Sequence, residues 1–554
     1  MFCSPQAKLE VNGLKLRTIL TSGTLLNIWL DNPVIEVEAH NLVRRLVQSV
    51  GNMDWPHYLT MTRLVARALR LGRSALIQTG VRPQIREHPY RFSYLIPVLV
   101  WGKASVIVAS EAVIEQLLTV EIPKIQGITD ADDQKLPLMP IQKGDRWPSR
   151  DFQGLLLTTP QIWLADRLGD NQHFPPHIPT IIDDADNLEQ WSRDRLTAAL
   201  EWSDWTLLTQ KRPEWRDTLE LTQVRLIRSI FAHPANLYGC HLLDEEEQDI
   251  LQNLFLTLTQ PTESTTTSAE TSSQRLDSRW HEFYHQWLSD NQLKWVEVDR
   301  AQGSFKLYCS PLEVASALSP IWEQQPVVLI GGALDLDKNA PIYRQIMGLG
   351  DLTCVKFTPD RQSQLIQLYL PSGIPMPNTP QFEKALIEQL RTLLCMSINI
   401  SGLKVLLVED IPLKGKVAAV LASEFGSLVQ VETTAISETG VLVTGWQFWR
   451  NHQHQFISPH LLAIATLPLP SLENPLVAGR VAYYKQQRQD WFRLYLLPAA
   501  LTELQGAVAP VRHKQGIVAL LDSRVTRRTY GKQVLTALSP HVQIDYLDTT
   551  WLNI

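Results

Sequence analysis

The chain has 554 residues, 44% of them hydrophobic and 19% charged, with a formal net charge of −6 at pH 7. That length exceeds what one hydrophobic core holds and implies two or three domains, and the composition excludes a disordered or collagen-like chain. The acidic balance excludes a chain-wide basic surface, so nucleic-acid contact would have to be local. The five cysteines (Cys3, Cys240, Cys309, Cys354 and Cys395) fall at no metal-ligand spacing, so neither zinc nor an iron–sulfur cluster is expected. His452, His454 and His460 lie close together but lack a carboxylate or Cys at useful spacing.

No charged-then-apolar leader opens the chain and no apolar run reaches membrane-spanning length, so a cytoplasmic protein with no membrane partner is expected. Residues 1–52 form a lead segment in which Val34-Ile35-Glu36-Val37-Glu38-Ala39-His40 alternates and reads as a strand. Residues 58–71 carry apolar positions at helical spacing, with Arg63, Arg67 and Arg70 on one face and no acidic partner within the segment. An α/β rhythm follows: strands at 74–78, 104–109, 154–158 and 180–183, and helices at 94–100 and 111–118. Residues 53–190 therefore read as the first part of a first sheet domain. Residues 191–300 turn to long helical patterns rich in Trp, Glu and Arg, broken by a Thr/Ser-rich linker over 257–275. The sheet pattern returns in 301–350 with Val327-Val328-Leu329-Ile330, and 351–554 reads as a second sheet domain. Continuous apolar strands alternating with helices imply parallel sheets covered on both faces.

Several segments, taken in order, resemble the motifs of one family. Val106-Ile107-Val108-Ala109-Ser110 is followed by Glu115-Gln116-Leu117-Leu118, and Ile181-Ile182-Asp183-Asp184-Ala185-Asp186 resembles an Asp-Glu-Ala-His box. Gly331-Gly332-Ala333-Leu334 stands where the family has Ser-Ala-Thr-Leu. In the second half, Leu370-Pro371-Ser372-Gly373, Gly402-Leu403-Lys404-Val405, Phe448-Trp449, Leu467-Pro468-Leu469-Pro470 and Leu504-Gln505-Gly506-Ala507-Val508-Ala509-Pro510-Val511-Arg512 keep the family's order and spacing. The whole resembles the DinG/XPD-like branch of superfamily 2 DNA helicases over roughly 55–540. The resemblance implies an α/β fold of two RecA-like, P-loop-NTPase-type parallel-sheet domains with a helical insertion in the first, ATP and Mg²⁺ between the domains, and single-stranded nucleic acid as partner.

Carried over residue by residue, the resemblance implies nucleotide contacts at Gln78, Thr79, Gly80, Arg91, Gln505 and Gly506, a magnesium ligand at Asp183, and catalytic positions at Asp184 and Arg512. Nucleic-acid contact falls to Ser110 by the same route and to Arg63, Arg67 and Arg70 from their shared face. The chemistry at these positions departs from the family. A phosphate-binding loop needs backbone N–H groups and a Lys, yet Tyr90 stands at the Lys position and Arg91 at the Ser/Thr position. Asp184 replaces the Glu that orients water and is one methylene shorter, Ala509 replaces the first Arg of the last motif, and Arg450 and Asn451 follow Phe448-Trp449 where Glu and Gly are usual. Four departures at ATP-linked sites favour a nucleic-acid-binding helicase homologue, set in DNA repair or replication, with weakened or lost hydrolysis. An active ATP-dependent helicase with unusual motifs, and a protein-interaction scaffold on a helicase fold, remain open alternatives.

Overall fold

The computed structural model describes residues 10–11, 14–15, 35–50, 55–80, 89–131, 139–169, 173–259, 277–358, 364–397 and 400–544. The Thr/Ser-rich stretch lies almost wholly outside these ranges, and residues 81–88, which follow the phosphate-loop position, lie wholly outside them.

After a two-residue antiparallel pair, Glu10–Val11 with Leu14–Lys15, come two helices that pack on each other, α1 (Ile35–Val50) and α2 (Tyr58–Leu71). The strand read at 34–40 is instead the first turns of α1. Ile35, Ala39, Leu42, Val43 and Leu46 are buried at helical spacing, and that longer period outweighs the seven-residue alternation. The first sheet has seven strands: β1 (Ala75–Gln78), β2 (Ser105–Val108), β3 (Ile141–Lys143), β4 (Leu155–Thr158), β5 (Thr180–Asp183), β10 (Val327–Gly331) and β11 (Thr353–Lys356). Their spatial order is β11-β1-β10-β5-β2-β4-β3, with every pairing parallel. The sheet is buried on both faces, as its unbroken apolar strands require. Between β1 and β2 runs helix α3 (Phe92–Trp101), and β2 leads into the short α4 (Glu111–Gln116).

The insertion between β5 and β10 departs from the helical expectation. Its helices, among them α5 (Arg216–Ala232) and α6 (Glu245–Thr259), pack on a four-stranded antiparallel sheet. The sheet order is β6 (Ala198–Leu200), β9 (Ser304–Pro311), β8 (Gln292–Asp299), β7 (Cys240–Leu242). The long β8–β9 hairpin alternates inward residues such as Val296, Phe305 and Leu307 with outward ones, a period-2 pattern that the Trp-rich helices before it mask. This hairpin carries the insertion past residue 300, and β11 carries the first sheet past residue 350.

The second sheet again has seven strands, all parallel: β12 (Ile366–Tyr369), β13 (Lys404–Leu407), β14 (Val429–Val431), β15 (Val441–Thr444), β16 (Leu461–Ile464), β17 (Ile517–Leu520) and β18 (His541–Ile544), in the order β14-β15-β13-β16-β17-β12-β18. Helix α7 (Leu497–Arg512) covers one face, with Leu497, Leu501, Leu504, Val508 and Val511 in the core. One helical run, Phe492–Arg512, is long and apolar enough by length and composition to cross a membrane, contrary to the sequence expectation. Its apolarity serves this packing, since 56% of its 18-residue window is buried against the domain.

Candidate functional site: a buried charge cluster beside an interdomain cleft

Ligands of open parallel sheets bind beyond the carboxyl ends of the strands. Here that edge collects Gln78 at the end of β1 with Thr79 and Gly80 after it, Asp183 at the end of β5, and Gly331 at the end of β10 with Gly332 to Leu334 after it.

Asp183 is 1% exposed and its carboxylate is saturated by protein donors. The Tyr90 and Tyr94 hydroxyls donate to Oδ1 and Oδ2, each at 2.9 Å. The Asp184 N–H donates to Oδ1 at 3.0 Å, and Arg91 Nε reaches Oδ2 at 3.4 Å. Tyr90 and Tyr94 stand four residues apart, so the helical entry that leads into α3 aims both rings at the end of β5. Arg91 is 0% exposed, so it is no surface arginine awaiting a phosphate. It spans Asp183, Gln116 Oε1 at 3.0 Å and Glu121 Oε1 at 3.5 Å. Burial pushes the Glu121 carboxyl up to about 7, against the opposing pull of Arg91. Burial lowers and Asp183 raises the Arg91 guanidinium, and the outcome lies above the ordinary value. The Tyr90 and Tyr94 hydroxyls are pushed well up by burial and by Asp183. A cation thus sits beside the carboxylate to which the resemblance assigns a magnesium ion, and it is built into the chain. The donor set does not fit Mg²⁺, which demands oxygen ligands in near-octahedral array.

The neighbouring phosphate-loop position is spent in the same way. The Thr79 N–H and hydroxyl donate to the Gly331 carbonyl at 2.8 and 3.3 Å, and the Gly80 N–H donates to the Gly332 carbonyl at 3.0 Å. Gln78 bonds the loop after β10 with both ends of its amide, to the Asp337 carbonyl and the Asp335 N–H, each at 3.0 Å. Asp184 adopts a left-handed φ of 62° and accepts from Asn187 Nδ2 at 2.6 Å. Asp186 accepts the N–H groups of Gly332 and Ala333 at 2.6 and 3.0 Å. Gly331 permits that approach, because a Cβ there would lie 2.7 Å from Asp186 Oδ2.

Across from this edge lies a cleft of about 680 Å³ between the two sheet domains. Gly80, Ala333, Lys338 and Lys356 line one wall; Gln505, Ala509, Arg512 and His541 line the other, and among the described residues no carboxylate side chain lines it. Neither Asp183 nor Gly506 lines it, and Gly506 is buried within α7. Gln505 Nε2 donates to the Ala537 carbonyl at 2.9 Å. The Arg512 guanidinium donates to the carbonyls of Gln364, Leu538, Ser539 and Pro540 at 2.7 to 3.3 Å, and burial pushes it down to about 10. The one arginine kept from the last motif therefore knits β18 to its surroundings.

The arginine face of α2 is exposed at Arg63, Arg67 and Arg70. Arg70 is paired after all, with Glu36 of α1 at 2.7 Å. Reading 34–40 as a strand hid that partner. Arg63 approaches His40 at 3.5 Å. Ser110 stands at the N-cap position of α4, two residues past β2 and with no side-chain capping bond, far in sequence from the arginines and on a different element. Sequence reasoning missed Tyr94, Glu121 and Asp186. The Tyr90/Tyr94 spacing and the place of Asp186 at the end of the 181–186 box were usable signals, whereas nothing local in the sequence ties Glu121 to this site.

Two all-parallel seven-stranded sheets facing a common cleft, with an insertion after the fifth strand of the first, define a RecA-like helicase frame. A model of the helicase C-terminal domain matches residues 458–541. The ATP-dependent DNA helicase YoaA of Escherichia coli K12 is 24% identical over 252 residues, covering 43% of this chain and 39% of that protein. An XPD helicase structure superposes with a TM-score of 0.52 at 12% identity, covering 89% of this chain and 100% of that one. The S. tokodaii Xpd4 structure gives 0.52 at 12% identity, covering 88% and 99%. The chain thus shares the fold of the XPD helicases, carries a match to the helicase C-terminal domain and is similar to a DinG-type helicase, of whose length it spans about two fifths.

Proposed function

We propose that this chain binds single-stranded nucleic acid on a helicase frame and does not hydrolyse ATP. The observation that carries the reading is the saturated Asp183 carboxylate: Arg91, Tyr90 and Tyr94 take the room and the lone pairs that a magnesium ion would need. The consumed N–H groups of Thr79 and Gly80, the Ala509 side chain in the cleft and the inward turn of Arg512 support it. Exposed Arg63 and Arg67 supply local positive charge on an otherwise acidic chain, and the matched relative is named as a DNA helicase. A cytoplasmic role in DNA repair or replication, as an accessory that holds a strand, goes with this reading.

The test measures ATP turnover and single-strand affinity on the same preparation. The expected result is no DNA-stimulated turnover, together with oligonucleotide binding that weakens with salt. Removing one side chain that neutralises a phosphate should lower the log–log salt slope by about 0.7, so Arg63→Ala/Arg67→Ala should flatten it. Turnover abolished by Asp183→Asn would restore the active-helicase reading. Salt-independent or absent binding would leave the scaffold reading.

A further inference from the structure

The insertion holds a cluster that the cysteine spacing could not reveal. His233 follows the last turn of α5, His241 sits in β7, and Glu247 lies in the first turn of α6. One ligand atom from each lies within 4.8 Å of the other two. His233 Nε2 is 3.2 Å and His241 Nε2 3.7 Å from Glu247 Oε1. Asp244 Oδ2 stands 3.6 Å from His233 Nε2. With metal–ligand bonds of about 2.1 Å, the edge of a tetrahedral zinc site is about 3.4 Å, so these separations bracket it.

The surroundings hold the ligands in place. Asp244 and Glu247 form a reciprocal cap: the Glu247 N–H donates to Asp244 Oδ1 at 2.8 Å, and the Asp244 N–H donates to Glu247 Oε2 at 3.1 Å. Each carboxylate thereby spends one oxygen on the backbone and turns the other toward the imidazoles. The two rings stack at 3.9 Å between centroids. The Glu247 side chain is 0% exposed, and His241 Nε2 is buried without a hydrogen-bond partner. A cap needs neither histidine, and a buried imidazole nitrogen aimed at a buried carboxylate with nothing between them is unfinished chemistry.

We propose that His233, His241 and Glu247 bind one divalent transition-metal ion of the Zn²⁺ class, with Asp244 or water in the fourth position. The ion would pin the end of α5, the edge strand β7 and the start of α6 to one another. The proposal is independent of the Asp183 reading, because it concerns the insertion alone. It also runs against the expectation of no zinc, which weighed only the cysteines and the histidines near residue 452.

Metal-stripped full-length protein is titrated with Co²⁺ as a spectroscopic probe and with Zn²⁺ in competition. The expected result is saturation near one equivalent with visible d–d bands, displaced by Zn²⁺, and a melting temperature that rises with Zn²⁺. Removing a residue that merely supports a metal ligand commonly costs about 10–100-fold in metal affinity, so His233→Ala/His241→Ala and Glu247→Gln should each cost more than that. The exposed His281/His285 pair is the control for surface binding, with Nε2 atoms 3.1 Å apart. Saturable binding lost in His281→Ala/His285→Ala but kept in His233→Ala/His241→Ala would overturn the proposal, as would no saturable binding in the wild type. Should the variants unfold, Zn²⁺ protection of His233 and His241 from diethyl pyrocarbonate in the wild-type chain decides the matter. Equal modification with and without Zn²⁺ overturns it.

Discussion

The strand ends of the first sheet and helix α7 of the second domain both carry residues that the resemblance assigns to nucleotide, and on the proposed reading each has been turned to another use by a different route. At the first, a new charge has been brought in: Arg91 enters a sealed cluster with Asp183, Glu121 and two tyrosines. At the second, an old charge has been turned away: Arg512 faces four carbonyls. If the proposed loss of nucleotide holds, erasing a ligand site need not leave a hole. A buried carboxylate has to be neutralised by something, whereas an arginine at a domain edge can satisfy stray backbone acceptors.

Mutation separates the two regions, and the largest effect should come at the first. Arg91→Ala strands Asp183 and Glu121 in a dry interior, and removing one partner of a buried pair costs about 3–5 kcal/mol. Urea denaturation of the variant should show it; a change below about 1 kcal/mol would mean that water reaches the cluster. Arg512→Ala should cost less, about 1–3 kcal/mol, because it leaves neutral carbonyls rather than a charge unpaired. An Arg512→Ala destabilisation equal to that of Arg91→Ala would erase the distinction.

A subtler probe is pH. The Glu121 carboxyl is raised from 4.5 to about 7, so the stability tied to its protonated form is present below 4.5 and is lost as pH rises through about 7. Melting temperature should therefore fall as pH rises from 4.5 to about 7 and level off above it, by a share that Glu121→Gln removes; an unchanged slope in that variant would place the titration elsewhere. The smallest effect belongs to the surface. Arg70→Ala breaks an exposed pair with Glu36 and should change stability by no more than about 1 kcal/mol, while Arg63→Ala/Arg67→Ala leaves stability alone and acts on strand binding.

Much of the frame was legible in the sequence because parallel strands buried on both faces write themselves as short apolar runs. Thr180–Asp183, Val327–Gly331 and Ile517–Leu520 are of that kind. Helix Tyr58–Leu71 was legible from its period. Residues 34–40 misled because Glu36 and Glu38 alternate with Ile35 and Val37 over a window too short to show a helical period. The antiparallel sheet of the insertion was hidden because its edge strands are three residues long and its helices hold the conspicuous tryptophans. At the site, Asp183 was legible from its motif, but the fate of Arg91 was not. An arginine beside a phosphate-loop position suits an anion as well as it suits a carboxylate, and only the fold brings residues 91, 121 and 183 together.

The sealed guanidinium at Asp183 has a consequence for evolution and for regulation alike. Unlike a dissolved ion it does not exchange, does not dilute, and does not follow the supply of divalent metal in the cell. The first sheet is therefore locked in one electrostatic setting from the moment of folding. Because Tyr90, Arg91 and Tyr94 hold that setting jointly, changing any one of them alone would leave the other two around an unbalanced carboxylate; on the proposed reading, opening Asp183 to a metal takes several simultaneous changes.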